Sequence, residues 1–142
     1  MENMSAIKKI LLGIDGSEDS YKAANFTADL AEKIGASVTL IYVASDKYTG
    51  SFIAKPTYTT GPNVLVGDRF DRPKKYLQDR NVPFDTMVEL GDPADVILNT
   101  AARGYDAIVV GTRGLTGFRE MVMGSVSQKI VQGSRIPVLV VP

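Results

Sequence analysis

A chain of 142 residues, 44% hydrophobic and 23% charged, is long enough for one domain with a sizeable core and has the make-up of an ordinary globular protein. Sixteen basic residues balance sixteen acidic ones, so net charge recruits neither nucleic acid nor an anionic membrane, and no apolar run approaches the roughly 20 residues a bilayer needs. The sequence holds no Cys and no His, which excludes disulfides, thiolate nucleophiles, histidine-bound zinc and any Ser-His or Cys-His catalytic pair.

The first five residues lack the basic-then-apolar order of a signal peptide, so the expected location is the cytoplasm. Lys8 and Lys9 precede Ile10, Leu11, Leu12, Gly13 and Ile14, the continuous apolar pattern of a strand buried on both faces. That strand ends at Asp15-Gly16-Ser17. Ser17 is a natural helix N-cap, and Glu18 and Asp19 put negative charge in the first turn, where the helix dipole favours it. Ala23, Thr27, Leu30, Ala31 and Ile34 recur at helical spacing, and Gly35 supplies a stop. Residues 38–43 read as a second buried strand. Strand, crossover helix and strand predict a parallel pair with a right-handed connection.

After Val43 the pattern fades. Residues 47–63 are polar and aromatic, with Tyr48, Phe52 and Tyr58, and a connection this long is usually a functional lid or disordered. The aromatics suit stacking over a base, and equally docking onto the core or a second subunit. Residues 64–80 are expected to be helical, with a kink or a fresh start at Pro73. Phe84–Leu90 reads as the third strand. Gly91 then turns the chain, Asp92 caps a helix and Pro93 takes its first position. Ala94, Ile97, Leu98 and Ala101 are expected to face the sheet, and Gly104 to end that helix.

Residues 107–131 carry the chemistry. Ala107, Ile108, Val109 and Val110 form a strand ending at Gly111; Thr112, Arg113 and Gly114 follow; Gly124, Ser125, Val126 and Ser127 open a helix that Gly133 stops. Glycines let a backbone approach a ligand, and the unpartnered N–H groups and dipole of a helix N-terminus attract an anion. Ser125 and Ser127 add hydroxyl donors. The plain alternative makes Gly111 a turn, Gly114 and Gly117 loop glycines, and Gly124-Ser125 an ordinary cap. No Walker A sequence occurs, and the glycines do not follow the first strand as a dinucleotide fingerprint requires. Val138–Val141 completes five strands. Strands alternating with helices give an α/β fold: a single domain with an open, mostly parallel five-stranded sheet and helices on both faces.

The spacing Gly111-x2-Gly114-x9-Gly124-Ser125 resembles the ATP-binding signature of the universal stress proteins. Asp15-Gly16-Ser17-Glu18-x-Ser20, Gly91-Asp92-Pro93-Ala94 and Pro137-Val138-Leu139-Val140-Val141 are similar to further landmarks of that family. The likeness extends from about Lys8 to the last residue, with no landmark in residues 45–80. It implies a doubly wound sheet of strand order 3-2-1-4-5, so that Asp15 and Gly111 meet in the crevice where the winding reverses. It also implies phosphates on the N–H groups of Gly114 and of Gly124, Ser125, Val126 and Ser127, helped by the Ser125 hydroxyl. The adenine then falls near Asp15 and the backbone of Val43, with Ile14 among the nucleotide-binding positions and the ribose close to Gly111.

Arg113 and Arg119 either reach the outer phosphates or are simply solvated, and Asp15 either touches the base or only caps the turn into the first helix. Mg²⁺ commonly accompanies ATP, but Asp15 is the one acid placed near the crevice, so neither a metal ligand nor a catalytic residue is assigned. The implied function is a nucleotide-dependent regulator of stress response with little or no ATP turnover. Two alternatives stand beside it. An adenylating or ATP-pyrophosphatase-like enzyme is suggested by the faint likeness of residues 13–20 to a Ser-Gly-Gly-x-Asp-Ser loop, and the other is an interaction module without nucleotide. The short apolar strand at Val138–Val141 would lie at the sheet edge, where it suits pairing into a homodimer unless its own subunit covers it.

Overall fold

Strands that are apolar at every position have no face to offer water, so they must lie between two layers of helices. The computed structural model, which describes residues 7–45, 62–112 and 123–142, has this arrangement. In chain order the elements are β1 (Lys9–Gly13), α1 (Glu18–Ile34), β2 (Ser37–Ala44), α2 (Pro62–Asp79), β3 (Phe84–Leu90), α3 (Pro93–Ala101), β4 (Ala107–Gly111), α4 (Ser125–Gly133) and β5 (Val138–Val141). The sheet is parallel throughout, in the order β3-β2-β1-β4-β5. Tyr48, Phe52 and Tyr58, and with them the expected lid, lie outside the described residues, as do Arg113, Gly114 and Arg119.

Side chains alternate between the two sheet faces with the period of two that strands impose. Ile10, Leu12, Val38, Leu40 and Val109 pack under α1 and α2, against Ala23, Ala28, Ala31, Phe70 and Leu77. Leu11, Ile41, Val43, Ile108 and Val110 pack under α3 and α4, against Ala94, Ile97, Ala101 and Ile130. Among the described residues no helix is long and apolar enough to cross a membrane.

The helix ends follow the local chemistry in the sequence. The Ser17 side chain accepts the Ser20 N–H at the start of α1, and Gly35 closes that helix in the left-handed region, donating its N–H to Ala31. The Asp92 side chain accepts the Asp95 N–H at the start of α3, ahead of Pro93.

Two expectations need correction, and a third gains a second reason. Of the kink or fresh start expected at Pro73, the fresh start does not occur: one helix runs from Pro62 to Asp79, and the Pro73 ring is fully buried, so apolar burial offsets the missing N–H. Gly104 does not end α3, whose last helical residue is Ala101, although Gly104 does turn the chain at φ 102°. Gly133 ends α4 without entering the left-handed region. It is the last residue of α4, as expected, and an added Cβ would sit 2.9 Å from Leu98 Cδ1, so it is also a point where α4 closes on α3.

The tightest approach is at Gly111. A Cβ there would lie 2.8 Å from both the carbonyl carbon and the carbonyl oxygen of Asp19, in the first turn of α1. Backbone cannot rotate aside as a flexible side chain can, so Gly111 is fixed by helix-on-sheet packing, whatever else it touches. Gly111→Ala is therefore expected to lower stability by about 1–3 kcal/mol, the usual range for overpacking. A urea midpoint equal to the parent's would contradict this.

Candidate functional site

β1 stops pairing at Gly13, with the Ile14 N–H donated to the Ile41 carbonyl at 2.9 Å, and the chain then turns into α1. Local bonds define this turn. Asp15 Oδ1 accepts the Ser17 N–H at 2.9 Å, and Ser17 Oγ accepts the Ser20 N–H at 3.1 Å. The Ser20 hydroxyl donates back to the Ser17 carbonyl at 2.9 Å. Gly16 takes φ 89°, which a residue with a Cβ adopts only under strain. The Asp15 carboxylate thus caps the turn into α1.

β2 runs to Ala44, three residues beyond Ile41, the last of its residues registered with β1. Along β2 the backbone polar groups alternate between neighbours: Ser37 and Ile41 bond toward β1, while Val38 and Ala44 bond toward β3. Val43 shares the parity of Ile41, so its N–H and C=O face the β1 side after β1 has turned away. They present a donor and an acceptor side by side at the open end of the sheet.

Across the winding reversal, β4 ends at Gly111 and α4 begins at Gly124. The Gly124 N–H is donated to the Thr112 carbonyl at 2.7 Å, and the buried Ser127 hydroxyl to the Gly111 carbonyl at 2.6 Å. These two bonds fasten the start of α4 onto the end of β4. They also revise the list of donors: neither the Gly124 N–H nor the Ser127 hydroxyl proton is left for an anion. The backbone N–H groups of Ser125, Val126 and Ser127 make no hydrogen bond among the described residues, as helix geometry requires of a first turn. Ser125 and Val126 are exposed there. Gly124 provides no side-chain cap, so among the described residues no cap side chain occupies the dipole end of α4.

One residue enters that no sequence pattern marked. Arg69 reaches from α2 to the β1 turn, its Nε 3.3 Å from the Asp15 carbonyl, and its guanidinium lies 4.6 Å over the Tyr42 ring. Farther along α2, Arg72 stacks 4.4 Å over Tyr21 and pairs with Glu18 at 3.2 Å. Burial pushes the Tyr21 phenol above its ordinary pKa, against the opposing pull of the Arg72 charge. On the far face Lys129 of α4 lies 3.1 Å from Asp95 and 3.4 Å from Asp92, and these carboxylates hold its ammonium above the usual range. Among the described residues no group of three or more acids is placed to hold a metal ion.

Ile14, Asp15, Val43, Gly111, Gly124, Ser125, Val126 and Ser127 are thus gathered at the C-terminal ends of β1, β2 and β4, where open α/β sheets bind ligands. The profile of the Universal stress protein family matches residues 6–142. This chain belongs to that family.

The Universal stress protein YxiE of Bacillus subtilis is 33% identical over 146 residues, spanning 94% of this chain and 97% of that protein. Among solved structures, the hypothetical protein MJ0577 superimposes with a TM-score of 0.83 at 26% identity, covering 96% of both chains. A universal stress protein in complex with cAMP has a TM-score of 0.73 at 20% identity, covering 96% of this chain and 98% of its own, which is a likeness of fold.

The Ser127 hydroxyl is the link between β4 and α4 that can be removed with least disturbance. Ser127→Ala should cost about 1–3 kcal/mol, because it leaves the Gly111 carbonyl buried without its donor. Chemical unfolding checks this, and an unchanged midpoint would show that the 2.6 Å bond contributes nothing net.

Proposed function

We propose that the chain is one nucleotide-binding domain that takes ATP across the winding reversal and regulates a stress response through its liganded state. The observation that carries this reading is the convergence of two complementary backbone features at one end of the sheet. The Val43 N–H and C=O offer a donor-acceptor pair that matches adenine, whose N1 accepts and whose 6-amino group donates. The three unspent N–H groups at the start of α4 offer the charge-assisted donors that phosphates need. The glycine signature and the cAMP held by a protein of the same fold support the same reading.

Gly124 adds an argument of its own. Its φ of −70° and ψ of 165° suit any residue, so glycine is not needed there for backbone conformation. A small residue there instead leaves the helix end open for a phosphate. Arg113 and Gly114 complete the cradle in this proposal, and Mg²⁺ travels on the phosphate oxygens. Turnover is slow, because the sequence has no His or Cys and the Asp15 carboxylate is held in the α1 turn. The setting is the cytoplasm.

Calorimetric titration tests the site directly. The parent is expected to bind ATP, and Gly124→Val to lose binding while its circular dichroism stays that of the parent. A variant that binds as tightly as the parent sinks the phosphate assignment. Labelled ATP in a single turnover should be hydrolysed far more slowly than the roughly 10 s⁻¹ of a typical enzyme.

The proposal extends to a homodimer through β5. This strand ends the sheet, Leu139 is 38% exposed, and no other described strand covers its outer edge. Antiparallel pairing of two copies would satisfy both edges under a two-fold axis. In light scattering the parent should run as a dimer at micromolar concentration and Leu139→Lys should shift toward monomer, because like charges would meet across the axis. A monomeric parent would overturn the dimer.

A further inference from the structure

The α1 turn and the end of β2 form the two sides of the place proposed for the base, and local bonds alone do not fix the distance between them. The turn is held to itself by the Ser17 and Ser20 hydroxyls, and the last registered pair between β1 and β2 is Gly13 with Ile41. Beyond that pair, Asp15 and Val43 belong to strands that have parted. A side chain from a third element spans the gap. Arg69 of α2 donates Nε to the Asp15 carbonyl at 3.3 Å, and the same guanidinium lies 4.6 Å from the ring centre of Tyr42, the residue preceding Val43.

The turn is shaped to receive it. An added Cβ at Gly16 would lie 3.1 Å from Arg69 Cγ and 3.2 Å from Nε, so the arginine stem runs across the glycine face. One guanidinium therefore touches both walls, with its Nε donor on one and its charge over the aromatic ring of the other. A lysine ammonium cannot match this, since it lacks both the plane and the fork of donors.

We infer that Arg69 is a positioning residue of the nucleotide site: it sets the spacing between the Asp15 turn and the Val43 edge, and through that spacing the preference for adenine. The inference rests on the nucleotide reading above. Adenine and guanine present opposite patterns at the edge facing Val43, since guanine puts an acceptor and a ring N–H where adenine has its amino donor and N1 acceptor. A pair of walls held at fixed distance keeps the base in the register where that difference is felt. Walls released from each other let the base shift, and the difference shrinks. Arg69 acts on the base through Asp15 and Tyr42, and the same contacts carry base occupancy to α2.

The test is calorimetric titration of the intact protein with ATP and GTP, alongside thermal unfolding of each protein without ligand. Arg69→Met should bind ATP about tenfold more weakly, through lost preorganisation, with its preference for ATP over GTP narrowed by a similar factor. Arg69→Lys keeps the charge and most of the stem, guards against a variant that fails to fold, and should lose preference in the same direction. Arg72→Met is the control for a merely structural role. It removes the other arginine–tyrosine stack from the same helix and should keep the parent's affinity and preference. If the parent binds ATP and the Arg69 variants match it in affinity and preference, the inference is overturned while the nucleotide reading stands. Equal losses in Arg72→Met would likewise overturn it. A parent that binds neither nucleotide removes the reading itself, and this inference with it.

Discussion

The first turn of α1 lies directly on the end of β4, and the rest of the sheet's C-terminal end is built around that contact. It is possible only because Gly111 has no side chain: the nearest atoms to an added Cβ are the Asp19 carbonyl carbon and oxygen at 2.8 Å. With α1 seated there, the β1 turn and the end of β4 become neighbours across the winding reversal. The Gly111 carbonyl, left without a strand partner at this end, takes the Ser127 hydroxyl at 2.6 Å, and the Gly124 N–H closes on the Thr112 carbonyl. A buried carbonyl must find a donor, and here the donor comes from the next helix, which is thereby aimed.

Spending these donors has a consequence for chemistry. A helix N-terminus has more N–H groups than it can satisfy internally, and α4 uses the one at its cap to anchor itself. The groups of Ser125, Val126 and Ser127 then point outward from a fixed base. Fixed donors stabilise an anion better than rotatable ones, because no ordering cost falls on binding. On the other side of the reversal, the Val43 N–H and C=O are displayed by the length of β2, which continues after β1 has turned. Both features are backbone features, and neither depends on the identity of the side chain at the position.

The two faces of the sheet are held differently at this end. Under α3 and α4 the contacts are aliphatic, with Ile97, Ala101 and Ile130 against Leu11, Ile108 and Val110. Under α2 the apolar contacts of Phe70 and Leu77 are joined by two arginines, each stacked on a tyrosine from a different element. Arginine suits this place because its stem packs as a hydrocarbon while its plane stacks and its edge donates. Arg69 places one of these contacts at the turn that ends β1.

The sequence by itself determined the strands, the order of elements and the caps at Ser17, Gly35 and Asp92, because each rests on residues within a few positions of one another. Continuous apolar runs required burial on both faces, and the glycine and serine pattern marked the open end of the sheet as the place of interest. The strand order came from family likeness and is the order the sheet has. Only the tertiary structure decided what each marked residue does there. Gly133 is a packing contact with Leu98, Pro73 is buried within a continuous helix, and the Ser127 hydroxyl serves the Gly111 carbonyl. Arg69 and Asp15 lie 54 positions apart, and neither periodicity nor spacing carries a signal for a contact of that range. Local chemistry fixes the backbone of each element; which donor meets which acceptor is fixed only when the elements pack.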